Sequence, residues 1–102
     1  MIHVIATVEL EPGARDAFLA ILRPFASEVR TEEGCIEYGP AADARVDIGR
    51  PIPCREDAVI IIERWESPEA LKTHLAQPRM AQYKQDTRDF VKGVALHVLE
   101  PL

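Results

Sequence analysis

The sequence predicts a single α+β domain with four strands and two helical stretches in the order βαββαβ. Three observations carry that prediction. Apolar residues recur at every second position in some segments and at every third or fourth in others, and Pro, Gly and Ser mark most of the joints between them. A chain of 102 residues has room for one hydrophobic core, so residues 1–102 are read as one domain.

Residues 2–10 alternate Ile2, Val4, Ala6, Val8 and Leu10 against His3, Ile5, Thr7 and Glu9, which predicts a strand ended by Pro12-Gly13. Residues 14–31 place Phe18, Leu22, Phe25, Ala26 and Val29 on one helical stripe. Pro24 lies inside that stripe without an N–H to give Ala20, which predicts a kink, and Gly34 is expected to cap the helix in a left-handed conformation. A short strand follows at 35–39. Residues 40–57 contain three prolines and one glycine and no periodicity, and are expected to form a mobile loop that gates a cavity. The run AVIIIERWE at 58–66 is the clearest strand. Ser67-Pro68 predicts an N-cap and first turn, after which Leu71, His74 and Leu75 share a helix face. Pro78 restarts a helical piece carrying Met80, Tyr83, Thr87 and Phe90, which Gly93 is expected to close before a last strand at 94–99.

This order is that of the ferredoxin-like fold, a four-stranded antiparallel sheet with helices on one face. Such a sheet should be polar on its other face. Here Ile5, Val59, Ile61, Trp65, Ala95 and Leu99 are read as a second apolar set, and one chain has helices for only one face. The expectation is a homodimer whose sheets pack face to face.

A net charge of −5 argues against a nucleic-acid partner, and no apolar run reaches membrane-spanning length. The opening MIHVIATVEL has no basic n-region, and Cys35 and Cys54 lack a CxxC spacing. A cytoplasmic setting with free thiols is therefore expected. His3, His74 and His97 show no metal-ligand spacing, and no glycine-rich nucleotide motif or nucleophile elbow is present, so no metal or cofactor is expected. His74, on the apolar helix face, is the candidate catalytic base, although a histidine so placed is more often a satisfied core residue. Trp65 is read as packing or as a wall for a flat aromatic ligand, Tyr38 and Tyr83 as packing or as phenols that hydrogen-bond a ligand oxygen, and Met80 as adaptable filler. Glu9, Glu63 and Arg64 are read as solvated or interfacial charges.

EEGCIEYGP, then ERWESPEALKTHLAQPRM with Tyr83, then a closing LEPL, together resemble the antibiotic biosynthesis monooxygenase family, in its quinol monooxygenase branch. The resemblance spans nearly the whole chain, and its most specific part is the Glu-x-Trp-x-Ser-x-Glu-Ala-Leu-x-x-His segment. It implies a dimeric α+β barrel that oxidises a hydroquinone, phenol or anthrone with O₂, commonly without metal or flavin. By that likeness His74 is the base or orienting group, and Trp65, Tyr38, Tyr83 and Met80 line the pocket. A haem-degrading sister branch has characteristic residues where this chain has Thr7, His74 and Lys84, and a lysine ammonium is a poor haem ligand. The same fold also carries non-enzymatic members, so a dimeric binding module for a small aromatic metabolite or signal is the alternative.

Overall fold

The computed structural model describes residues 1–102. Its elements are β1 (Ile2–Leu10), α1 (Arg15–Val29), β2 (Cys35–Ala41), β3 (Ala58–Trp65), α2 (Pro68–Leu75), α3 (Pro78–Thr87) and β4 (Val91–Leu99). The strands form one antiparallel sheet in the order β2-β3-β1-β4. This is the expected ferredoxin-like topology, with the second helical stretch divided between α2 and α3.

Register fixes which residues face the helices. Ile2, Val4, Ala6 and Val8 of β1 stand beside Trp65, Glu63, Ile61 and Val59 of β3. Tyr38 of β2 stands opposite Glu63, and Val98, Leu96 and Val94 of β4 stand opposite Val4, Ala6 and Val8. Phe18, Leu22, Phe25, Ala26 and Val29 of α1 are buried against this face, the stripe expected from their spacing. The opposite face carries Ile5, Thr7, Ile60, Ile62, Ala95, His97 and Leu99. The second apolar set read from the sequence therefore mixes two faces. Val59, Ile61 and Trp65 belong to the helix side, and Ile60 and Ile62 take their place on the open side. Alternation alone could not separate them, because β3 is apolar at both parities.

Several joints differ from expectation. Gly34 does not cap α1, which ends at Val29 with Arg30 still right-handed. Gly34 lies in the turn into β2 at φ +83°, where a Cβ would stand 2.5 Å from that of Ala70, so both conformation and close approach require glycine. Gly93 does not close α3 either. It lies within β4 beside Glu9, past a register shift that leaves Lys92 unpaired. β2 continues to Ala41 with Pro40 in it, which a proline can do on an edge strand. Leu75 is 45% exposed and does not share the burial of Leu71 and His74. Ser67 does cap α2, its hydroxyl accepting from the Ala70 N–H at 3.2 Å.

Residues 42–57 have no helix or strand. Arg55 clamps them, donating from Nε and Nη2 to the Asp43 carboxylate at 2.8 Å each, which holds that carboxyl well below its ordinary range. Both cysteines are free thiols. No helix is long and apolar enough to cross a membrane.

Candidate functional site

The helices cover only part of the face they pack on. α1 lies against β2 and α3, and α2 lies against β3. Val94, Leu96 and Val98 of β4 remain more than half exposed, although their neighbours Val8, Ala6 and Val4 are buried. Between the uncovered strip and α3 opens a cavity of about 540 Å³, within the range of small-molecule sites. Ten of its 14 lining residues are hydrophobic. Ala6, Ile61 and Leu96 contribute from the sheet, and Met80 and Tyr83 from α3. Tyr38 lines it from β2, and Lys84 and Arg88 supply exposed cations.

One carboxyl reaches into this apolar lining. Glu63 lies at mid-strand in β3, is 5% exposed, and accepts from the Trp65 Nε1–H at 2.9 Å. No cation offsets its charge. Burial pushes its pKa up to about 7, against the opposing pull of the indole hydrogen bond. Burial likewise pushes the Tyr38 and Tyr83 phenols up, so both remain hydroxyl donors across the neutral range. Tyr83 is stacked on Phe25 with ring centroids 4.4 Å apart, and Tyr38 meets the same ring edge-on at 6.1 Å.

His74 lies behind this surface. It is 1% exposed, and its Nδ1–H donates to Glu32 Oε1 at 3.0 Å. Its ring stacks on Trp65 at 4.7 Å, while Arg79 Nε stands 3.8 Å from Glu32 Oε2. A carboxylate can only accept, so the proton sits on Nδ1 and the neutral ring leaves Nε2 as a buried acceptor without a protein partner. Burial lowers the His74 pKa more than Glu32 raises it.

Of the five residues expected at the site, Tyr38, Tyr83 and Met80 line the cavity, whereas His74 and Trp65 do not. Trp65 is 0% exposed and is therefore not a pocket wall. Glu63, expected as a solvated or interfacial charge, is the buried group at the cavity instead. Its parity with Val59, Ile61 and Trp65 was a signal for this. None of residues 42–57 lines the cavity, so the expected gating loop stands elsewhere. Lys84 does line it, while Thr7 lies on the opposite sheet face. Nowhere do three His, Cys, Asp or Glu side chains converge as a metal-binding set.

Comparison with known proteins finds that residues 1–86 match the family described as antibiotic biosynthesis monooxygenase. The chain is similar to the "Probable quinol monooxygenase YgiN" of Escherichia coli, 33% identical over 104 residues that take in 99% of this chain and 98% of that protein. The structure of Rv0793 from Mycobacterium tuberculosis superposes with a TM-score of 0.80 at 28% identity, covering 99% of this chain and 94% of that one. PA3566 from Pseudomonas aeruginosa shares the fold, with a TM-score of 0.81 at 23% identity over 99% of this chain and 93% of its own.

Proposed function

We propose that this chain, which belongs to the antibiotic biosynthesis monooxygenase family, oxidises a small hydroquinone or related electron-rich phenol with O₂ in the cavity between β4 and α3. The observation that carries this reading is an apolar cavity lined by two tyrosines and one buried carboxyl, Glu63. An aromatic ring is matched by the hydrocarbon lining, and its hydroxyls by these few polar groups. Tyr38, Tyr83 and Met80 contact the substrate in this reading.

The electrons come from the substrate. A hydroquinone that gives up a phenolic proton passes one electron to O₂, and the resulting radical pair combines to form a C–O bond. Loss of water from the hydroperoxide then leaves a hydroxyquinone. One hydroquinone and one O₂ give one hydroxyquinone and one water, with no added reductant. The protein has to bind the ring, take and return protons, and fix the geometry. His74 acts at one remove, through its stack on Trp65 and so on Glu63.

A homodimer belongs to the same reading. Ile5, Ile60, Ile62, Ala95 and Leu99 form an apolar patch on the open sheet face, with Ile62 38% and Leu99 46% exposed. A second copy would cover it face to face. Sedimentation at micromolar concentration tests the dimer, and an oxygen electrode with a panel of hydroquinones tests the reaction. Uptake of one O₂ per hydroxyquinone formed is the expected result. Tight binding of hydroquinones without oxygen uptake would favour a binding module instead.

A further inference from the structure

We propose that Glu63 is the general base of this site and that Trp65 is its positioning residue, an inference that rests on the oxidative reading above. A glutamate inside a strand, 5% exposed and without a cationic partner, costs stability once it is ionised. Its surroundings fit it for proton transfer. It borders the cavity, so a bound phenol can reach it. One carboxylate oxygen is held by the Trp65 Nε1–H, and Trp65 is itself fixed by complete burial and the His74 ring. The acid equilibrates near neutrality, where both the accepting and donating forms are populated.

The groups facing it do not compete for the role. Tyr38, its cross-strand neighbour on β2, and Tyr83 on α3 are hydroxyls held protonated by burial. Val4 of β1 flanks it on the other side and has no proton to offer. Lys84 and Arg88 at the cavity are cations, and Glu32, which also raises Glu63, is engaged by His74 and Arg79. His74 itself commits Nδ1 to Glu32 and stands off the cavity.

In the step assigned to it, the Glu63 carboxylate takes a phenolic proton and becomes the acid. The hydroquinone monoanion then reduces O₂ and forms the C–O bond. Glu63 returns its proton to the terminal peroxide oxygen, which departs as water when the ring carbon loses its hydrogen. The carboxylate is regenerated, and substrate and O₂ account for every electron.

The test follows kcat/KM against pH for two hydroquinones whose own phenol pKa values differ, in the wild-type protein and in Glu63→Gln and Trp65→Phe. The wild type is expected to show a rising limb near pH 7 at the same position for both substrates. Glu63→Gln keeps an oxygen for the indole to donate to; it should lose about a hundredfold at neutral pH and recover as pH approaches the substrate's own pKa. Trp65→Phe removes the hydrogen bond that favours the carboxylate, so its limb should move to higher pH. A limb that tracks the substrate in the wild type overturns the assignment of Glu63, even if the Gln variant fails to fold. So does a fully active Glu63→Gln. An unmoved limb in Trp65→Phe removes Trp65 from the mechanism. Absence of oxygen uptake by the wild type with both substrates overturns the oxidative reading itself, and with it this role for Glu63.

Discussion

Toward β2, the layer between sheet and helices is closed; toward β4, it is open. The closed half stacks Trp65 on His74 with Phe25 tilted against the same imidazole, and its buried carboxylate, Glu32, has His74 at 3.0 Å and Arg79 at 3.8 Å. The open half is the cavity, and the carboxyl beside it, Glu63, has one indole N–H and no cation. Both halves rest on one alternating sheet face. Buried polarity is structural in one half and kept for chemistry in the other: a buried charge that is paired holds the helices in place, and one left unpaired beside a cavity is available to exchange a proton.

Substitutions that exchange the properties of the two sheet faces should have the largest effect on stability. Ile61→Glu places a carboxylate among Ala6, Glu63 and Met80 and should destabilise the fold by several kcal/mol, about 3–5. Chemical denaturation measures it directly. Next is the closed half. His74→Ala leaves Glu32 buried with Arg79 at 3.8 Å as its remaining partner and opens a void beside Trp65, for a loss of about 2–4 kcal/mol. A stable variant that lost turnover while the limb near pH 7 stayed in place would instead make His74 a group that touches substrate. Trp65→Phe sacrifices one buried hydrogen bond and part of a ring and should lose about 1–2 kcal/mol. Smallest of all, Ile62→Glu on the open face should change the stability of the monomer by less than about 0.5 kcal/mol. The same substitution should abolish dimerisation in sedimentation, and a persistent dimer would place the interface elsewhere.

The topology was legible because β1 is unambiguous. His3, Thr7 and Glu9 set its polar parity, and Phe18, Leu22, Phe25 and Val29 set the stripe that covers the other. β3 and β4 were less so, since AVIIIERW and VALHVL are apolar at both parities and only hydrogen-bonded register against β1 assigns their faces. That ambiguity hid Glu63, whose direction followed from whichever parity was buried. The Glu32–His74 pair joins residues 42 apart through a turn and a helix, and no local spacing announces it. Tyr38, Tyr83 and Met80 entered as pocket residues through the family resemblance, because a bulky side chain on a covered face packs a core as readily as it lines a cavity.

Glu63 is held unpaired beside the cavity at the expense of stability, and the pH dependence of unfolding reads that expense. A carboxyl raised from about 4.5 unfolded to about 7 folded binds more protons in the native state between those values. Its stabilising contribution is therefore present in full below about pH 4.5 and is lost as pH rises through about 7. Glu63→Gln escapes that loss. Its stability relative to wild type, measured by urea unfolding at a series of pH values, should rise between about pH 4.5 and 7 and level off above, with an amplitude on the order of 1–3 kcal/mol. A difference that is flat with pH, or that makes the Gln variant the less stable protein at pH 8, would contradict the claim and make Glu63 a structural carboxylate like Glu32.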